Sequence, residues 1–203
     1  MKGINDQLDT EIAIKNLSSI CNQHLKEIPK WQTIQNVIEQ HDYDEIDNIR
    51  KYIFSTLLRS KMFDKFRHNN CIQLLVDATG LTSLDYNLNN NCLVRTRDGK
   101  TKYYKYVLEA KVVFGSMLIS IDSEWFENTS LNNGEINAFE RMAPRIKNNY
   151  PKLNFIVTGD ALYATTTMIN ICKDFNWHFI FNLKKDRLKN VYETFQDNIN
   201  YEN

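Results

Sequence analysis

The stretch CIQLLVDATG, residues 71–80, is a short apolar run that ends in an acid and a turn signal. A similar stretch, LNFIVTGDA, occupies residues 153–161 and also closes on an aspartate. Short apolar runs bounded by Gly and Asp are typical of buried β-strands. The sequence therefore predicts two core strands that end at Asp77 and Asp160.

The residues between and after these runs alternate between strand and helix patterns. TKYYKYVLEAKVVF, residues 101–114, is rich in β-branched and aromatic residues and follows the hairpin signal Asp98-Gly99. Apolar periodicity predicts the remaining elements, which are strands at 117–126 and 177–183 and helices near 134–150, 168–175 and from 188. Tight turns favour an antiparallel meander, and strands separated by helices favour right-handed parallel crossovers. The predicted fold class is α/β, a mixed five-stranded sheet flanked by helices that is similar to the RNase H-like layout.

The sequence pattern of residues 1–68 is helical and differs from the pattern of the residues that follow. Apolar residues recur there at helical spacing, and no glycine occurs between Gly3 and Gly80. We predict a helical N-terminal segment over 1–68 and a catalytic-type domain over 69–203.

Composition excludes several classes of protein. With 42% hydrophobic residues the chain can bury a core, and no apolar run approaches the roughly 20 residues of a membrane span. The four cysteines are scattered without zinc-ligand spacing, which favours a reducing, cytoplasmic compartment. A net charge of +0 does not favour DNA binding, although several segments are locally basic.

Asp77 and Asp160 are the candidate site residues. If the second core strand lies parallel to the first and beside it, both acids emerge at one end of the sheet, where open α/β sheets bind ligands. Adjacent carboxylates repel unless a cation neutralises them, and Mg²⁺ prefers oxygen ligands. Either aspartate alone is also typical of a turn former or a helix cap.

Several segments, in order along the chain, resemble the insertion-sequence transposases with a DDE triad, in the group whose third carboxylate follows a β-rich insertion. They are VDATGL, YYKYVLEAKVVFG, SIDSEWFEN, EINAFERMAPRIKNNYP, VTGDALYA and ICKDFNW. The resemblance implies that Asp77 and Asp160 are catalytic, metal-binding carboxylates for Mg²⁺, with Mn²⁺ as a substitute. It further implies double-stranded DNA partners (transposon ends and target DNA), a nucleoid-associated protein and a homodimer in the full-length form.

One departure from the family concerns its third carboxylate, a glutamate beyond the insertion. The chain stops at Asn203, near where the insertion would start, and Glu193 lacks the neighbours of the family's glutamate. We therefore expect a truncated copy with little or no strand cleavage of its own. The alternatives are a non-catalytic DNA-binding or regulatory remnant, or another RNase H-like nuclease. Glu135 could approach the site, although a role as a helix N-terminal acid is the simpler interpretation.

Two groups of cations are candidate DNA contacts. They are Arg59, Lys61 and Lys65 in the predicted N-terminal segment, and Lys184, Lys185 and Arg187 after the last predicted strand. Both groups could also be ordinary solvated surface.

We predict that reversing the charges of Arg59, Lys61 and Lys65 together flattens the salt dependence of DNA binding. The slope of log K against log salt is negative, and each lost phosphate contact reduces its magnitude by about 0.9. A fluorescence-anisotropy titration between 50 and 200 mM salt measures the slope, and an unchanged slope would exclude contact between these residues and the DNA backbone.

Overall fold

The computed structural model describes residues 10–61, 63–87, 92–126, 134–184 and 189–201. The chain divides into two compact units, Met1–Ile49 and Arg50–Asn203. This division falls earlier than residue 68, where the periodicity of the sequence changes.

The helices of the described residues are α1 (Glu11–Cys21), α2 (Trp31–Gln40), α3 (Tyr43–Arg59), α4 (Glu135–Asn149), α5 (Thr166–Asp174) and α6 (Lys189–Tyr201), with short 3-10 helices at Asp64–Phe66 and Ala161–Tyr163. The smaller unit contains α1, α2 and the start of α3. Helix α1 begins where the Thr10 hydroxyl accepts a hydrogen bond from the Ala13 amide, and it ends at Asn22 in the left-handed conformation. None of the described helices is long and apolar enough to span a bilayer.

The larger unit contains a mixed sheet. Its strands are β1 (Cys71–Leu84), β2 (Leu93–Arg97), β3 (Lys100–Phe114), β4 (Met117–Trp125), β5 (Asn154–Gly159) and β6 (His178–Phe181). The α/β class is confirmed, and the sheet has six strands where the sequence predicted five, because β2 is a full partner of β3. The Asp98-Gly99 turn joins these two strands, with φ angles of 52° and 73° that suit a tight hairpin turn.

Strand β1 lies in the middle of the sheet, with an antiparallel neighbour, β3, on one side and a parallel neighbour, β5, on the other side. The expectation that it ends at Asp77 is wrong, because its pairing with β3 continues to Leu84. Ala-Thr-Gly is therefore strand and not turn, and the register is irregular only between Gly80 and Thr82. What does end before Asp77 is the pairing with β5, whose last partners are Leu75 and Thr158.

Helix α4 connects the antiparallel strands to β5 and packs its apolar face against β3 and β4. Its buried residues are Ala138, Phe139, Met142, Ala143 and Ile146. The sheet residues buried in the same core include Ile72, Leu74, Val76, Leu108, Ala110, Val112, Phe155 and Val157. These positions alternate along each strand, as expected for one buried face.

Asp122 follows Ile121 on β4, so strict strand alternation would bury only one of the two, yet Asp122 is buried at 3% exposure. A bulge explains the difference, because Ala110 pairs with Asp122 and Lys111 with Ser120, which leaves Ile121 as the extra residue. Both Ile121 and Asp122 are then buried. The Asp122 carboxylate accepts a hydrogen bond of 3.0 Å from Arg145 of α4, so the buried charge is paired.

Phe54 and Phe63 contribute to the core of the sheet unit. Phe54 is fully buried, with its ring centroid 5.0 Å from that of Tyr150 and 6.5 Å from that of Phe114. Phe63 stacks on Phe114 at 4.1 Å. The second half of α3 is thus held by aromatic packing.

We predict that Phe54→Ala lowers the free energy of unfolding of the sheet unit by about 3–5 kcal/mol, since it leaves a cavity in the core. Urea unfolding followed by tryptophan fluorescence measures the loss. The control is Tyr52→Ala in the same helix, where the side chain is 68% exposed and the change should stay within about 0.5 kcal/mol. A similar small change for both variants would contradict the packing of α3 in this core.

Candidate active site

The ends of the β1–β5 pairing bring Asp77 and Asp160 to one edge of the sheet. Partners along these two parallel strands, from Cys71 with Asn154 to Leu75 with Thr158, are always 83 residues apart. Asp77 and Asp160 are also 83 residues apart and therefore occupy equivalent register positions, two residues beyond the last pair. Both side chains are exposed.

Asp160 starts the turn that follows β5. Its carboxylate oxygen Oδ1 accepts a hydrogen bond of 2.7 Å from the Leu162 amide, which caps the 3-10 helix Ala161–Tyr163. This confirms the capping role that its position suggested and leaves Oδ2 for another ligand. The preceding Gly159 is required sterically, because a Cβ there would lie 2.5 Å from Cδ2 of Tyr163.

Tyr163, in the 3-10 helix that follows Asp160, is buried at 1% exposure. Its hydroxyl donates a hydrogen bond to Glu135, the first residue of α4. Burial raises the pKa of Tyr163 well above its usual range, and the hydrogen bond to Glu135 and the negative charges of Glu135, Asp77 and Asp160 raise it further. Three carboxylates therefore act on one phenol, which stays protonated.

Glu109 lies directly opposite Asp77 across the β1–β3 pair. Its carboxylate forms a salt bridge of 2.7 Å with Lys111, two residues along the same strand. The lysine that pairs with Glu109 therefore lies on the same strand and not on a neighbouring one. Within the described part of the chain, the Asp77 carboxylate has no hydrogen-bond or salt-bridge partner.

The donors at this end of the sheet are carboxylate oxygens, the ligand type of hard cations. Among the residues that the structure describes, no group of three or more His, Cys, Asp or Glu side chains is arranged to hold a metal ion. Mg²⁺ commonly binds through one or two carboxylates, with water and substrate phosphate oxygens completing its shell. Asp77 and Asp160 are two exposed carboxylates of the type that such a site uses.

The candidate DNA-binding cations are spread over the sheet unit. Arg59 ends α3 and donates a hydrogen bond of 3.3 Å to Thr56, and Lys61 has a positive φ of 57°. Lys65 lies 5.0 Å from the ring centroid of Phe66. Lys184 follows β6 and is exposed, whereas Lys185 and Arg187 lie outside the described residues.

Two features of this edge were not assigned from the sequence. The first is the Tyr163–Glu135 pair, although the Gly159-Asp160 turn three residues before Tyr163 gave a partial signal. The second is a pocket of about 350 Å³ beside Glu135, whose walls include Arg95, Tyr106, Phe126, Ile136, Leu162 and Thr165. Its residues come from five separate segments of the chain, so no local pattern predicts it.

Comparison of the chain with known protein families, with curated proteins and with solved structures gives no match.

We predict a coupling free energy of about 1.5–3 kcal/mol between Tyr163 and Glu135, the range for a hydrogen bond to a charged group. A double-mutant cycle of Tyr163→Phe and Glu135→Ala, measured by urea unfolding, gives this value. Replacing Tyr163→Phe in the cycle by Tyr52→Phe, which changes an exposed tyrosine of α3, should give additive effects. Additivity in the first cycle would contradict the hydrogen bond.

Proposed function

We propose that this protein is a DNA transposase of the DDE type, in which Asp77 and Asp160 hold Mg²⁺ for phosphodiester cleavage and strand transfer. The observation that carries the proposal is the shared register position of the two aspartates on neighbouring parallel strands. An RNase H-like layout of the sheet is part of the same proposal, and the central β1 between an antiparallel and a parallel partner supports it.

The electrostatics of the edge support a cation. Burial and the hydrogen bond to Glu135 raise the pKa of Tyr163, and the charges of Glu135, Asp77 and Asp160 raise it further, so all three carboxylates act on this hydroxyl. A divalent ion would offset the negative charge that these carboxylates contribute. When bound, Mg²⁺ polarises the phosphodiester and activates the attacking oxygen.

The protein's own groups have separate roles in this proposal. Asp77 offers both carboxylate oxygens, and Asp160 offers the one that does not cap the following turn. Tyr163 orients the Glu135 carboxylate and, because its raised pKa keeps it protonated, does not act as a base. Glu135 adds negative charge that strengthens the attraction for a cation.

A second candidate function is DNA binding without cleavage, as expected for a regulatory form. The observation that favours it is that the described residues include no group of three metal ligands. Two ions that clamp the attacking and leaving oxygens need further ligands to fix the second ion. The two candidates differ in whether Asp77 and Asp160 bind metal at all.

We predict that Asp77→Asn and Asp160→Asn each weaken Mn²⁺ binding by at least about tenfold, the lower range for loss of support at a metal site. Electron paramagnetic resonance of free Mn²⁺ measures the affinity, with and without a short DNA duplex. The matched control is Asp174→Asn, which removes an exposed acid at the end of α5 and should leave the affinity unchanged.

An equal Mn²⁺ affinity in all variants would reject the metal site, and DNA binding without metal binding would favour the second candidate. Cleavage of supercoiled DNA carrying the element's ends supplies the complementary test, because any nicking by this chain should disappear in Asp77→Asn. Joining of the cut ends to a target separates a transposase from another nuclease.

A further inference from the structure

The β2–β3 hairpin carries four cations on one face. The register pairs Arg95 with Lys102 and Arg97 with Lys100, so like charges stand directly opposite each other at both positions. All four side chains are exposed. Like charges in such cross-strand pairs destabilise a hairpin, and a bound polyanion would remove that cost.

The opposite face of the hairpin is uncharged at the neighbouring positions. Val94 pairs with Tyr103 and Thr96 with Thr101, and the two threonine hydroxyls lie 3.1 Å apart. The charge is therefore segregated to one face by the strand period of two. Asp98 at the turn is the acid closest in sequence, and its contact with Arg97 at 3.8 Å joins two side chains that are at least 90% exposed, so it neutralises little.

Aromatic rings extend the basic face towards the pocket that contains Glu135. The Arg95 guanidinium lies 5.5 Å from the ring centroid of Tyr104 and 5.8 Å from that of Tyr106. Arg95 lines both a groove of about 440 Å³ along the hairpin and the pocket that contains Glu135. The surface is continuous from the tip of the hairpin to the helix that supplies Glu135.

We propose that this hairpin face, defined by Arg95, Arg97, Lys100 and Lys102, binds the sugar-phosphate backbone of duplex DNA next to the pocket that Glu135 lines. This inference rests on the proposed function for the identity of the polyanion. From Lys100 to Tyr106, β3 covers roughly 20 Å at about 3.3 Å per residue. Duplex DNA carries one charge per about 1.7 Å of axis, so several phosphates fall within that length.

The experiment compares two variants with the same change in net charge. Lys100→Gln with Lys102→Gln removes two cations from the hairpin face, and Lys152→Gln with Lys173→Gln removes two exposed cations elsewhere on the sheet unit. Binding of a 30-base-pair duplex by the full chain is measured by fluorescence anisotropy between 50 and 200 mM salt. EDTA is present throughout, so the measurement is independent of metal chemistry.

The hairpin variant should reduce the magnitude of the negative slope of log K against log salt by about 1.8, which corresponds to two lost phosphate contacts at about 0.9 each. The control variant should retain the slope of the unmodified chain. Equal slopes in the two variants would overturn the inference, as would an RNA duplex of the same length that binds more tightly than the DNA. Because neither result depends on Mn²⁺, failure here is distinguishable from failure of the metal site.

Discussion

The two-sided hydrogen bonding of β1 is the constraint on which the larger unit depends. A tight turn cannot connect parallel strands. The chain therefore leaves the sheet after β4, forms α4, and re-enters the sheet as β5. That crossover covers one face of the sheet with the apolar side of α4. The same parallel pairing fixes the offset of 83 residues, and a shift of one residue would move every side chain of β5 to the other face.

Negative charge collects at the edge that this register creates, and the surrounding residues balance it in different ways. A lysine on the same strand pairs with Glu109. A buried phenol donates to Glu135, and a backbone amide donates to one oxygen of Asp160. The phenol and the amide are neutral donors, so they leave the charges of Glu135 and Asp160 in place. A divalent cation, as in the proposed function, would offset that remaining charge.

The net charge of the chain is zero, but its cations fall into two groups, those paired with acids inside the sheet unit and those on the hairpin face. Arg141 and Arg145 on α4 are engaged internally, since they donate to Glu124 at 2.9 and 2.6 Å, and Arg145 also reaches the buried Asp122. These arginines fasten α4 to β4 and are not available for a partner. The cations of the hairpin face differ, since the β2–β3 register places Arg95 and Arg97 opposite lysines and not opposite acids.

Sequence alone determined the α/β class, the Asp98-Gly99 hairpin and the two apolar core strands, because each depends on the period and turn chemistry of a short segment. It also singled out Asp77 and Asp160 as candidates. Only the tertiary structure decided that β1 continues past Asp77, that a bulge turns Asp122 inward, and that Glu135 meets Tyr163. Those features depend on which strand or helix lies alongside, and a partner tens of residues away leaves no periodic signal in the segment it changes.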